Sequence, residues 1–190
     1  MKKALLLITA CILAIACGNS ETSKSENPQT EAVATEKAVE PTATESASSP
    51  CGFVTETKIK EVLGIAADAT TEMRDVMRTY PTCFYKWESV MFSTKRTIAG
   101  KEVSLDFPAE VAIILVKDAT PQMFETSTKV YKDGEAIEGL ADMAIWGSTR
   151  SQLTFLAKGT MIHLHVKVSG DAAANKAKAL ALAALIIQKL

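Results

Sequence analysis

Histidine is almost missing from this chain. Only His163 and His165 occur among 190 residues. There is no Gly-x-Ser-x-Gly, so no nucleophile elbow of the serine-hydrolase type is written here. "GLADMA" has one glycine and no Lys-Ser or Lys-Thr after it, which leaves no phosphate-cradling loop. Cys-x-x-Cys does not occur, which argues against a redox pair or a thiolate metal site. Neither sign of charge is in excess, with 21 Lys and Arg against 22 Asp and Glu. A basic footprint for nucleic acid is therefore lacking, as is an acidic reservoir for calcium. No apolar run reaches the roughly 20 residues that a membrane-crossing helix needs.

The chain does contain an organised amino-terminal address. Lys2 and Lys3 precede a thirteen-residue apolar run, Ala4 to Ala16, interrupted by Thr9 and Cys11. Positive charge, a short greasy core and small residues at its end describe a secretory signal peptide over 1–16. Cys17 follows at once. The segment Ala14-Ile15-Ala16-Cys17 resembles the lipobox of bacterial lipoproteins. The resemblance implies diacylation (palmitate-type chains) of the Cys17 thiol and cleavage just before it. Two or more acyl chains anchor stably where one does not. Ile8-Thr9-Ala10-Cys11 fits the pattern too but leaves a shorter greasy core, and ordinary secretion with Cys17 unmodified stays open. Gly18, not Asp, follows Cys17. By the same resemblance this favours the outer membrane, on its periplasmic or surface side, and makes the membrane a partner through the lipid.

From Gly18 to Pro50 the chain is rich in Ser, Thr, Glu, Ala and Pro and has six Glu against two Lys. Such a composition cannot bury enough apolar surface to offset the entropy of ordering. Residues 17–50 are expected to be a lipid-anchored disordered linker, spanning on the order of 30 Å as a flexible coil. Residues 51–190 make up one domain. Its two cysteines, Cys51 and Cys83, are an even pair in an exported domain and read as a disulfide.

Patterning gives the domain an α+β reading, an antiparallel sheet with helices packed against it. Thr55-Glu56 opens a helix that Gly64 stops. Thr70 to Tyr80, with Met73 and Met77 at i, i+4, reads as helical and ends at Pro81. Strands are expected over Cys83 to Phe92 and Lys101 to Phe107, with Pro108 breaking the ladder. Val111 to Val116 is apolar on both faces, as a central strand is. Thr120-Pro121 starts a helix to about Tyr131, and Lys132-Asp133-Gly134 turns the chain. Leu153 to Ala157 and Met161 to Val168 pair around Lys158-Gly159-Thr160. Asp171 caps a long C-terminal helix to about Lys189.

The spacing Cys51…Val62-Leu63-Gly64…Cys83-x-Tyr85-x-Trp87…Gly139-Leu140-Ala141-Asp142-x-Ala144-x-Trp146…Lys158-Gly159 resembles a group of small bacterial envelope lipoprotein domains of unknown function. Some of that group look like the Mog1/PsbP sandwich, in which helices flank an antiparallel sheet. The likeness implies the disulfide and the sheet order and carries over no catalytic residue.

Met161, His163, His165 and Lys167 alternate with Ile162, Leu164, Val166 and Val168, so the last strand has one greasy and one polar face. His163 and His165 stand about 6.5–7 Å apart along it. They could offer two imidazoles to zinc or copper, with Met161 as a soft ligand for reduced copper. The other reading is a polar sheet face covered by a helix or by water. Asp142, Trp87 and Trp146 read as a turn carboxylate and two core indoles. Ala179 to Ile187 is apolar all round, which means either full burial or a second contact such as an envelope protein. The sequence thus predicts a binding or interaction module that is not an enzyme and carries no cofactor. A copper or zinc site at His163 and His165 is the alternative, and a hydrolase a lesser one.

Overall fold

Two tight turns define the sheet. Lys158 and Gly159 both take left-handed backbone, φ 50° and 73°, and so do Ala99 and Gly100, φ 50° and 78°. Consecutive positive φ values give the primed hairpin turn whose twist matches its flanking strands. The computed structural model describes residues 49–190. The signal peptide, Cys17 and the linker up to residue 48 lie outside the described residues. Ser49 and Pro50 are already part of the fold, since Ser49 caps a short 3-10 turn at Pro50–Gly52 in which Pro50 is buried.

Seven strands form one antiparallel sheet. They are β1 (Glu72–Met77), β2 (Pro81–Ile98), β3 (Lys101–Val116), β4 (Gly134–Ala136), β5 (Met143–Gly147), β6 (Gln152–Ala157) and β7 (Thr160–Lys167). Their order across the sheet is β1-β2-β3-β7-β6-β5-β4. Among the described residues three helices, α1 (Glu56–Leu63), α2 (Pro121–Thr128) and α3 (Ala172–Ile187), make the class α+β.

Helices α1 and α3 cover one face of the sheet. Beneath them lie Cys83, Tyr85 and Trp87 of β2, Val111, Ile113 and Leu115 of β3, and Ile162, Leu164 and Val166 of β7. The strict alternation of β7 puts its aliphatic residues there. The two large rings also satisfy their polar tips. The Tyr85 hydroxyl donates to the Cys51 carbonyl at 3.1 Å, and Trp87 Nε1 donates to Thr71 Oγ1 at 2.8 Å. Thr71 in turn donates to Glu56, which pairs with the buried Lys60 at 2.8 Å and ties α1 to the sheet. Burial of these cores at about 25 cal/mol per Å² is the main stabilising term. Cys51 and Cys83 form a disulfide across a sequence separation of 32.

Helix α3 is sixteen residues, about 24 Å, and ends at Ile187 rather than Lys189. Leu182, Ala183 and Ile186 are fully buried, whereas Leu180, Leu185 and Ile187 are half-buried against the same core. The outward side presents only small residues, Ala173, Ala177, Ala181 and Ala184. The all-round greasiness of α3 is thus mostly alanine, and the helix faces solvent without a large apolar patch. Trp87 and Trp146 are buried, and Asp142 accepts the Lys158 backbone N–H at 3.0 Å, in a turn role.

Three local expectations fail. The segment from Thr70 to Tyr80 is the edge strand β1, not a helix, with Glu72 opposite Lys86 and Met77 opposite Pro81. Almost every β1 side chain is exposed, so no period-2 signal marks it, and the i, i+4 methionines imitate a helix. Pro108 does not break the ladder. It sits opposite Met91 where the β2 register slips between Trp87 and Met91, and at such a bulge the missing N–H leaves no partner unserved. Helix α2 stops at Thr128, because the hydroxyls of Ser127 and Thr128 bond back to the Phe124 carbonyl and close the last turn.

Candidate functional site

The second face of the sheet is only partly covered. Helix α2 roofs its β5–β6 end, where Phe124 packs on Val116, Leu156 and Met161. Beyond α2 the face opens into a trough over β1, β2, β3 and β7. Register lines up its floor. Arg74, Phe84, Ala112, His165 and Gln152 form one rung, and Val76, Thr82, Ile114, His163 and Thr154 form the next. A recess of about 430 Å³ is lined by Arg78, Tyr80, Phe84, Ala112, Ile114, His165 and Lys167, among others. A second of about 410 Å³ lies between Tyr80 and α2 and reaches Gln122, Met123, Ser127, Met161 and His163. Tyr80 lines both and stands as the ridge between them.

Both histidines are on this face, as the alternation in β7 predicts. They are half-buried, and burial holds each below its ordinary range. His165 is lowered to about 4, first by burial and then by the Lys167 charge. Both are neutral imidazoles at pH 7.

A short chain of hydrogen-bonding groups ends on His163. Tyr131 hydroxyl and Thr154 Oγ1 are 2.7 Å apart, and Thr154 Oγ1 is 2.8 Å from His163 Nδ1. Burial raises the Tyr131 pKa. Its phenol keeps its proton, so the chain Tyr131–Thr154–His163 is made of neutral groups. His163 also lines the smaller recess.

The structure joins His163 and His165 with Met161 on one face but adds no further ligand. Among the described residues no set of three His, Cys, Asp or Glu side chains converges on a metal-sized site. Met161 is buried under α2, with Ser127 Oγ 3.4 Å from its sulfur. Glu110, the carboxylate nearest in register, pairs with Lys167 at 3.1 Å.

The trough also contains residues that the sequence reading passed over. Arg74 and Arg78 each hold the guanidinium carbon 5.5 Å from the centre of the Phe84 ring. Arg74 pairs with Glu72 at 3.3 Å. Arg78 has no carboxylate within 4 Å among the described residues. The signal was present in the strand register, since Arg74 falls opposite Phe84 once β1 is recognised as a strand.

No family model matches the chain, and neither the curated proteins nor the solved structures include a significant match to it.

Proposed function

We propose that the chain is a binding module of the bacterial cell envelope, anchored by acylated Cys17, that holds a small molecule in the trough without reacting with it. The trough carries the reading. One sheet face is sealed by α1 and α3 and stapled by Cys51–Cys83, while the other stays open over a recess of about 430 Å³. That size is typical of small-molecule sites, and so is an apolar floor with a few polar groups. The anchor and the envelope location rest on the lipobox-like Ala14-Ile15-Ala16-Cys17 and the solvated composition of 18–50. A protein partner on α3 has less support, because its outward side is alanine.

The test uses the full chain purified from envelopes in mild detergent. Mass spectrometry should find a diacylated Cys17 and a small molecule co-purifying with the native protein. Ala112→Phe, which fills the floor, should release that molecule without altering the acylation. An unprocessed amino terminus would end the envelope reading. Steady turnover of a small-molecule panel would end the non-catalytic one.

A further inference from the structure

We propose that the ligand of the trough is a small amphipathic carboxylate, its flat apolar body on Phe84, Ala112 and Ile114 and its anionic end on Arg78. The inference rests on the trough being the binding site and adds the chemical class of its occupant.

Charge gives the sign. The ionised groups in the larger recess are Arg78, Glu110 and Lys167. Glu110 and Lys167 pair at 3.1 Å and offset one another. This leaves the Arg78 guanidinium as the uncompensated charge among the described residues that line it. The Arg78 guanidinium carbon lies 5.5 Å from the centre of the Phe84 ring, and no carboxylate among the described residues takes up its N–H groups. A carboxylate meets a guanidinium edge with two parallel hydrogen bonds.

The Thr82 hydroxyl is spent on the Tyr80 carbonyl at 3.0 Å. One free guanidinium matches a monoanion. A phosphate dianion would call for further cations or a cluster of backbone N–H groups, as phosphate sites have. The floor sets the other end of the molecule. Phe84, Ala112 and Ile114 offer an apolar strip.

The test is calorimetric titration of the full chain in detergent micelles, against empty micelles, with 2-naphthoate, its neutral analogue 2-naphthamide, and acetate. Naphthoate should bind about tenfold tighter than naphthamide or better, the range expected of a charge-assisted bidentate contact. Acetate, which has no apolar body, should give no saturable heat. Arg78→Gln should lower naphthoate affinity about tenfold and leave naphthamide unchanged, and Phe84→Leu should weaken both. Arg78 is exposed, so its replacement should leave the melting temperature in place. Equal affinity for the two naphthalenes, or a preference that survives Arg78→Gln, overturns the carboxylate assignment. If both also respond to Phe84→Leu, the trough still stands as a binding site. Absence of saturable naphthoate binding overturns the assignment as well, and the co-purification experiment then decides separately whether the trough binds anything.

Discussion

His165 is held as a neutral ring at the bottom of the trough, with Lys167 on its own strand and Glu110, His163 and Arg150 as its other charged or titratable neighbours. Its pKa in the fold is about 4, against an ordinary 6.5. The unfolded chain therefore takes up a proton as pH falls through about 6.5, and the folded chain does not until about 4. Stability must drop across that window and level off below it. His163, lowered in the same direction, adds to the slope. His165→Gln should flatten the fall in urea-unfolding free energy between pH 7 and 4.5 by about 1–2 kcal/mol, after discounting the shift for partial exposure. An unchanged slope would mean that His165 is already hydrated in the fold. Staying above pH 4.5 keeps Asp133 out of the measurement. The Ser148 hydroxyl and the backbone and side chain of Thr149 hold its carboxyl well below the usual range. Alternation in the sequence showed that the two histidines share a face. It could not show that Thr154 and Tyr131, from β6 and the loop after α2, reach His163, because that chain of bonds joins residues 23 positions apart.

At the scale of elements, the close approach of Gly170 to the β2–β3 hairpin limits what can follow β7. A Cβ at Gly170 would stand 2.1 Å from the Ser93 carbonyl oxygen, which is backbone and cannot swing aside. Gly170→Ala should cost about 1–3 kcal/mol of unfolding free energy. Amide exchange should quicken first between Phe92 and Thr94. A neutral effect would mean that the hairpin is free to move off the turn. Element legibility followed burial. The strands sealed under α1 and α3 were readable because their side chains alternate between core and trough. Strand β1 was not, since both its faces are wet, and neither was β4, only three exposed residues long. The helix N-caps and the Gly64 stop were readable. Thr55, Thr120 and Asp171 accept N–H bonds from Lys58, Met123 and Ala173, and Gly64 closes α1 at φ 68°. The trough stayed hidden for the same reason that β1 did, since its free cation and half of its aromatic stack depend on that edge strand.

For the whole molecule, the Cys51–Cys83 bond joins the start of the fold to β2. Closing a loop of this length stabilises by about 3.5 kcal/mol in the chain-entropy model. The paired replacement Cys51→Ser/Cys83→Ser should lower the unfolding free energy by about that amount. It should also loosen the Pro50–Gly52 turn, whose Cys51 carbonyl holds the Tyr85 hydroxyl. A loss below about 1 kcal/mol would show that the reduced chain already keeps these ends together. The cysteine count predicted this bond, and the alternating runs predicted an antiparallel sheet with helices on it. Residue patterning by itself left the seven-strand order unspecified, because adjacency between β3 and β7 is a contact between distant segments.

The same bond has a mechanical consequence. A pull on the chain ahead of Cys51 passes through sulfur into β2, which is zipped to β1 on one side and β3 on the other. Helix α1 and strand β1, lying between the two cysteines in the chain, are spared the load and cannot be reeled out one turn at a time. A globule tugged at that end should hold to high force and then give way abruptly, and a thiol reductant should make it lengthen gradually instead.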